Sequence, residues 1–185
     1  AQNKVNIVVN ILNDTFREKQ HWLVYLEDKD QLLEVNKALS SQGYKPYKYY
    51  SEMGEAREDE LNAFISQSGI LLSINCLDEG IDIPVISHAI IAASSRNPRQ
   101  FIQRRGRVLR KHENKLHAEV FDCLVLPKTK SSKKYNGLIS EEIKRAIEFA
   151  SFAENRVECI ALLRNWLIEL GQSPNQIMQE EEDDE

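Results

Sequence analysis

Short apolar runs of strand length alternate with helical patterns along most of this chain, and that alternation sets its fold class. Val5, Val8, Val9, Leu12 and Phe16 recur every three to four residues, which reads as an amphipathic helix. His21 to Leu26 is a short apolar strand. Asp28 to Ser41 is a helical stretch carrying Leu32, Leu33, Val35 and Leu39, with Gly43 to stop it. Tyr44 to Tyr50 reads as a strand interrupted by Pro46, which suits a sheet edge. Its four tyrosines either pack on the sheet or offer faces on which bases could stack. Glu55 to Gln67 is helical, while Gly69–Ile74, Ser87–Ala92 and Glu119–Leu126 read as further strands. Strands that alternate with helices predict an α/β domain, a parallel sheet with helices on both faces.

Two segments carry chemistry. The first, Leu77-Asp78-Glu79-Gly80-Ile81-Asp82-Ile83-Pro84, follows the apolar strand Gly69–Ile74. It sets three carboxylates and a glycine at a strand exit, where open α/β sheets bind ligands. The second, Gln103-Arg104-Arg105-Gly106-Arg107-Val108-Leu109-Arg110, holds four arginines in eight residues. From Arg96 to Lys111 there are seven basic side chains and no acid. A guanidinium is a planar fork of donors that matches phosphate oxygens and stays charged. Asn97-Pro98 reads as a helix start, with Asn97 as N-cap and Pro98 first inside. A helix continuing through the motif puts Gln103, Arg107 and Arg110 on one face, at i, i+4 and i+7. Gly106 would let a ligand approach the backbone closely.

Taken jointly, "LLSINCLDEGIDIP" and "SHAIIAASSRNPRQFIQRRGRVLR" resemble motifs V and VI of superfamily 2 helicases. The wording is nearest to the XPB-like DNA helicases and translocases. His21 to Leu26 is similar to their motif IV strand, and the resemblance spans about residues 20 to 127. It implies a RecA-like domain, the second of two between which such enzymes bind ATP and nucleic acid.

That resemblance assigns roles by position. Arg107 and Arg110 would reach the γ-phosphate as arginine fingers, with Gln103 on the phosphate or the attacking water. Gly80 and Asp82 would sit at the nucleotide, and Arg104 would pair with carboxylates near the hydrolytic centre. Ser73 and Asn75 would contact a nucleic-acid phosphate, and Arg105 would be a solvated charge or a phosphate contact to nucleic acid. Three places depart from the family pattern: Asn75, Glu27 in place of a small hydroxyl residue, and Ser51-Glu52 in place of a His-Gly pair.

No glycine in the sequence is followed by lysine, so no G-x-x-x-x-G-K-[ST] phosphate loop is present in it. ATP and Mg²⁺ are the expected cofactors, with the Mg²⁺ ligands coming from an N-terminal RecA-like domain that this chain lacks. The chain is then half of a motor, inactive in ATP hydrolysis alone. The expected partner is nucleic acid, DNA rather than RNA. The alternatives are a motor part of a restriction or defence complex, translocating without unwinding, and a non-catalytic nucleic-acid-binding module.

The net charge of −5 hides a local contrast. Glu180 to Glu185 holds six acids, which leaves 24 basic against 23 acidic residues in the rest. That run is expected to be a disordered tail over 175–185. Residues 128–136 read as a Lys/Ser-rich linker and 137–174 as a helical extension. Its apolar pattern, from Ile143 to Leu170, fits one long helix or two broken near Asn155, with Ser140 as a candidate cap. Its Phe149, Phe152 and Trp166 side either packs internally or faces a partner. Cys76, Cys123 and Cys159 are odd in number and far apart, and His21, His88, His112 and His117 show no ligand spacing. The expectation is a reduced cytoplasmic protein without a metal site. No apolar run approaches the length of a membrane span.

Overall fold

The computed structural model describes residues 2–74, 83–93, 117–124, 136–169 and 173. The chain divides into two units, Ala1–Cys123 and Leu124–Glu185.

In the first unit the central strand is β1 (His21–Leu26), buried at every position but the first. It is flanked on both sides and covered on both faces, so its sequence shows a continuous apolar run with no polar alternation. β3 (Gly69–Ile74) pairs with it in parallel, from His21↔Gly69 to Leu26↔Ile74. β4 (His88–Ile91) pairs on its other side, from Trp22↔His88 to Tyr25↔Ile91. β2 (Tyr47–Tyr49) adds to β3 and β5 (Glu119–Asp122) to β4. The order is β2-β3-β1-β4-β5, all parallel.

β2 is the edge strand that Pro46 suggested, and it is only three residues long. Its pairing is limited to Leu71–Ser73 of β3, so Pro46 stands outside the ladder, where its missing N–H costs nothing.

Helices cover both faces. Alternate residues of a strand point to opposite sides. Trp22, Val24, Leu26, Ile70, Leu72, Ile90 and Ala92 join α1 (Gln2–Thr15) and α2 (Lys29–Ser41) in one apolar cluster. Val5, Val8, Val9 and Leu12 supply the α1 side, the stripe read from the sequence. α3 (Ala56–Gln67) contributes Leu61 and Phe64, with Phe64 edge-on to His21 and centroids 5.2 Å apart.

The tyrosines of the β2 region are packed. Tyr49 is buried and donates to Glu58, Tyr47 donates to Gln67, and Tyr44 meets Phe16 edge-on. α2 ends at a left-handed Gly43, φ +91°. Its N–H reaches Ser40 O, and the Tyr44 N–H reaches Leu39 O. That is the paired closure of a Schellman turn, which needs a residue without Cβ strain at Gly43.

The second unit contains two helices, α4 (Asn136–Ser151) and α5 (Arg156–Glu169). The chain turns between them at 152–155, so the long apolar pattern is two helices. α4 starts at Asn136, one turn before Ser140, which therefore lies inside the helix and is no cap. Ile143, Ile147 and Leu167 are the buried contact, with Leu163 and Trp166 against them. Trp166 thus packs internally, whereas Phe152 is 73% exposed.

Candidate functional site

All five strands point the same way, so their carboxyl ends form one edge of the sheet. The register aligns Leu26 with Ile74, Tyr49 with Ser73 and Ile91 with Asp122. In sequence, the carboxylate segment begins at Leu77, soon after β3 ends at Ile74, and the arginine segment begins at Gln103, after β4 ends at Ile91. Both strands pair with β1, one on either side, so the chain leaves β3 and β4 at the same edge. Two strand spacings separate those exits, roughly 10 Å. That edge is where an open parallel sheet binds ligands.

At the end of β1 the chain enters α2 through a two-way cap. Asp28 caps the helix by accepting from the Gln31 N–H at 2.8 Å. The Gln31 amide oxygen in turn accepts from the Glu27 N–H at 2.8 Å. This explains a buried glutamine in an otherwise apolar layer, and it fixes the backbone at the edge.

Ion pairs tie the neighbouring turns to this point. Lys29 donates to Glu52 in the short turn after β2 and lies over the Tyr50 ring, 5.6 Å from its centroid. The hydrogen bond and charge of Glu52 raise the Lys29 pKa above its ordinary value. On β1's other side, the Lys4 ammonium donates to the Ala92 carbonyl at 2.7 Å and pairs with Glu27 at 3.6 Å. Glu27 and Glu52 are thus each held by a lysine of this chain.

Of the site residues read from the sequence, Ser73 is the one that the described structure contains. It is fully buried in β3, with Tyr25 and Tyr49 beside it in register. Asn75, Gly80, Asp82, Gln103, Arg104, Arg105, Arg107 and Arg110 lie outside the described residues. So do the Asn97-Pro98 helix start, 128–135 and the whole acidic tail, 175–185. Lys4 was not singled out in the sequence, although a signal exists. It falls on the i, i+4, i+8 row with Val8 and Leu12, which is the buried row of α1.

Among the described residues no three His, Cys, Asp or Glu side chains converge as a metal site requires. No described helix is long and apolar enough to cross a membrane.

The helicase conserved C-terminal domain pattern matches residues 3–112, more than half of the chain. The chain belongs to that family. A Methanocaldococcus jannaschii protein, provisionally named an ATP-dependent RNA helicase, is 24% identical over 162 residues, 82% of this chain and 20% of that one. A DNA 3'-5' translocase of Sulfurisphaera tokodaii is 28% identical over 114 residues, 61% of this chain and 25% of its own length. The chain therefore spans a quarter or less of these relatives. The solved C-terminal domain of the DEAD-box protein Dbp5 shares the fold, with a TM-score of 0.61 at 16% identity, covering 83% of this chain and 82% of that one. This helicase C-terminal domain of superfamily 2 has the RecA-like architecture expected from its motifs: a five-stranded parallel sheet flanked by helices.

Proposed function

We propose that this domain is the second motor domain of an ATP-dependent DNA helicase or translocase. The single observation that supports this most is that β3 and β4, the strands that the two motif-bearing segments follow in sequence, flank β1 and end at one edge of the sheet. A nucleotide facing that edge would meet both segments together. On this reading Arg107 and Arg110 neutralise charge that grows on the transferring phosphoryl group. Gln103 orients the phosphate or the attacking water, and Arg104 couples the two domains through carboxylates. Gly80 and Asp82 border the nucleotide.

Mg²⁺ would be held by residues of the partner motor domain and would supply charge neutralisation at the phosphates of ATP. Asn75 and Arg105 would touch the nucleic-acid backbone. Ser73 would do so only if its buried hydroxyl became accessible. DNA is preferred to RNA because the motif wording is nearest to the XPB-like enzymes, and the cytoplasm is the compartment that suits three widely spaced cysteines.

ATP would close the cleft because the arginines gain a phosphate partner. Hydrolysis removes that partner and the domains part. Each cycle then shifts the grip on the nucleic-acid backbone.

The test is made in the longer protein that contains this domain. Arg107→Ala and Arg110→Ala should each cut nucleic-acid-stimulated ATP turnover by at least about a hundredfold, the scale of a lost transition-state donor. ATP affinity should change much less. Normal turnover with collapsed nucleic-acid binding would make these arginines plain phosphate contacts and sink the motor reading.

A further inference from the structure

We infer that Gln20, His88 and Glu119 form a proton-operated latch on the turn between α1 and β1. The latch lies at the amino-terminal edge of the sheet and depends on none of the roles proposed for the carboxyl edge.

The orientation of the Gln20 amide is forced. One of its terminal atoms receives both the Trp22 indole N–H and the Arg17 backbone N–H, each at 2.8 Å. Both partners can only donate, so that atom is the oxygen. The other atom is the amino group, and it faces His88 Nε2 at 3.5 Å. A contact between two nitrogens holds one hydrogen, and the amide supplies it. His88 Nε2 is therefore the accepting nitrogen. On the other side of the ring, Nδ1 lies 2.8 Å from Ser87 Oγ, and that hydroxyl donates to the His21 carbonyl at 3.3 Å. A hydroxyl has a single hydrogen, so Nδ1 carries the proton and donates it to Ser87. Both sides select the same neutral tautomer.

A second proton, taken from solvent, has only Nε2 to occupy. There it would set an N–H against the Gln20 amino group, donor against donor. The Glu119 carboxylate of β5 stands 3.9 Å from the same nitrogen and is the acceptor for the charged ring. Its side chain is 65% exposed, so it can close that gap by a rotation. The other charged residues of the neighbouring α1–β1 turn are Asp14, Arg17, Glu18 and Lys19. All four are exposed, and the Arg17 guanidinium donates to the Phe16 and Asp14 carbonyls. His21 on β1 turns to the α3 side, against Phe64, and His117 precedes β5. Among the described residues Glu119 is the one whose charge acts on His88.

Gln20 is what the exchange disturbs. Its oxygen closes the turn on the Arg17 N–H, and Lys19 in that turn holds a left-handed φ of +66°. Oxygen and amino group belong to one planar amide, so driving the amino group off Nε2 also moves the oxygen away from Arg17 and Trp22. At neutral pH the latch is closed. In acid His88 trades Gln20 for Glu119, and the turn loosens.

The test is a pH titration of the 185-residue chain by NMR. Neutral His88 should show the nitrogen shifts of the Nδ1–H tautomer. The Trp22 indole N–H and the Arg17 amide should move with the same midpoint as His88, and the Arg17 amide should lose exchange protection severalfold on the acid side. Gln20→Glu replaces the opposing amino group by an oxygen and should raise the His88 midpoint by at least about one pH unit. Glu119→Gln should lower it. An Nε2–H tautomer at neutral pH overturns the latch. So does a ring that stays neutral until the chain unfolds, or a Trp22 and Arg17 response independent of the His88 titration. An unchanged or lowered midpoint in folded Gln20→Glu overturns it as well. Should that variant not fold, the tautomer and the shared midpoint in the wild type decide.

Discussion

The His88 imidazole lies flat on the Trp22 indole, with ring centroids 4.4 Å apart and planes 12° from parallel. Both rings stand at the amino-terminal end of the sheet, across from the candidate site, and Phe121 stacks on Trp22 at 5.8 Å. Ser87 Oγ lies 2.8 Å from His88 Nδ1.

Burial lowers the His88 pKa below its ordinary value, and the Glu119 carboxylate offsets this only in part. The folded state therefore resists protonation that the unfolded chain accepts. Above about pH 6.5 both states are neutral at this residue and it contributes no pH dependence. As pH falls below that value the unfolded chain takes up a proton first, and stability drops, by at most about 1.4 kcal/mol per pH unit for one proton. Urea unfolding of wild type and His88→Phe between pH 5 and 7.5 checks this. The wild type should lose more stability on acidification than the variant. Equal slopes would show that His88 is not responsible.

Gly69 opens β3 at φ +125°, a backbone conformation costly for any residue with a Cβ. A Cβ there would also lie 3.3 Å from the Tyr47 ring. Gly69→Ala should destabilise the first unit by about 1–3 kcal/mol, read from the denaturation midpoint. A neutral or stabilising result would mean that the backbone relaxes at this turn.

Arg105 should behave unlike its neighbours. On a helix, positions 103, 107 and 110 share a face and 105 points well away from it. Arg105→Ala should cost less than about threefold in ATP turnover, with any effect appearing in nucleic-acid affinity. If it is as damaging to turnover as Arg107→Ala, the helical face assignment is wrong.

The chain by itself should show no measurable nucleic-acid-stimulated ATPase, because it contains no phosphate loop. It should bind nucleic acid weakly, with affinity falling steeply as salt rises, since phosphate contacts release counterions. A filter-binding series from 50 to 300 mM salt, about the range over which such contacts are lost, is the measurement. Robust turnover, or binding indifferent to salt, would refute the half-motor assignment.

β1, β3 and β4 were legible because strands buried on both faces leave continuous apolar runs, as in Gly69–Ile74. α2 was legible at both ends, since Asp28 and Gly43 are chemically suited to a cap and a left-handed stop. The strand order was not, because a run such as His88–Ile91 carries no mark of which neighbour it will pair with. The start of α4 was missed because Ser140 is a good cap by type, yet a helix one turn longer begins at Asn136. At the candidate site, the residues that support the carboxyl edge of the sheet were not legible. Lys4 and Gln31 look like surface residues in the sequence, and only the packed carboxyl edge shows that each satisfies a particular backbone group.

The chain's two tryptophans fall one in each unit. Trp22 is fully enclosed between sheet and helices, while Trp166 is only partly covered between α4 and α5. An unfolding curve followed by indole emission is therefore a sum of two reporters, each answering for its own unit. Fitted as one transition, it would return a midpoint and a slope belonging to neither. Trp22→Phe and Trp166→Phe, each silencing one reporter, turn the same experiment into two clean readings and reveal whether the helical pair melts with the sheet or before it.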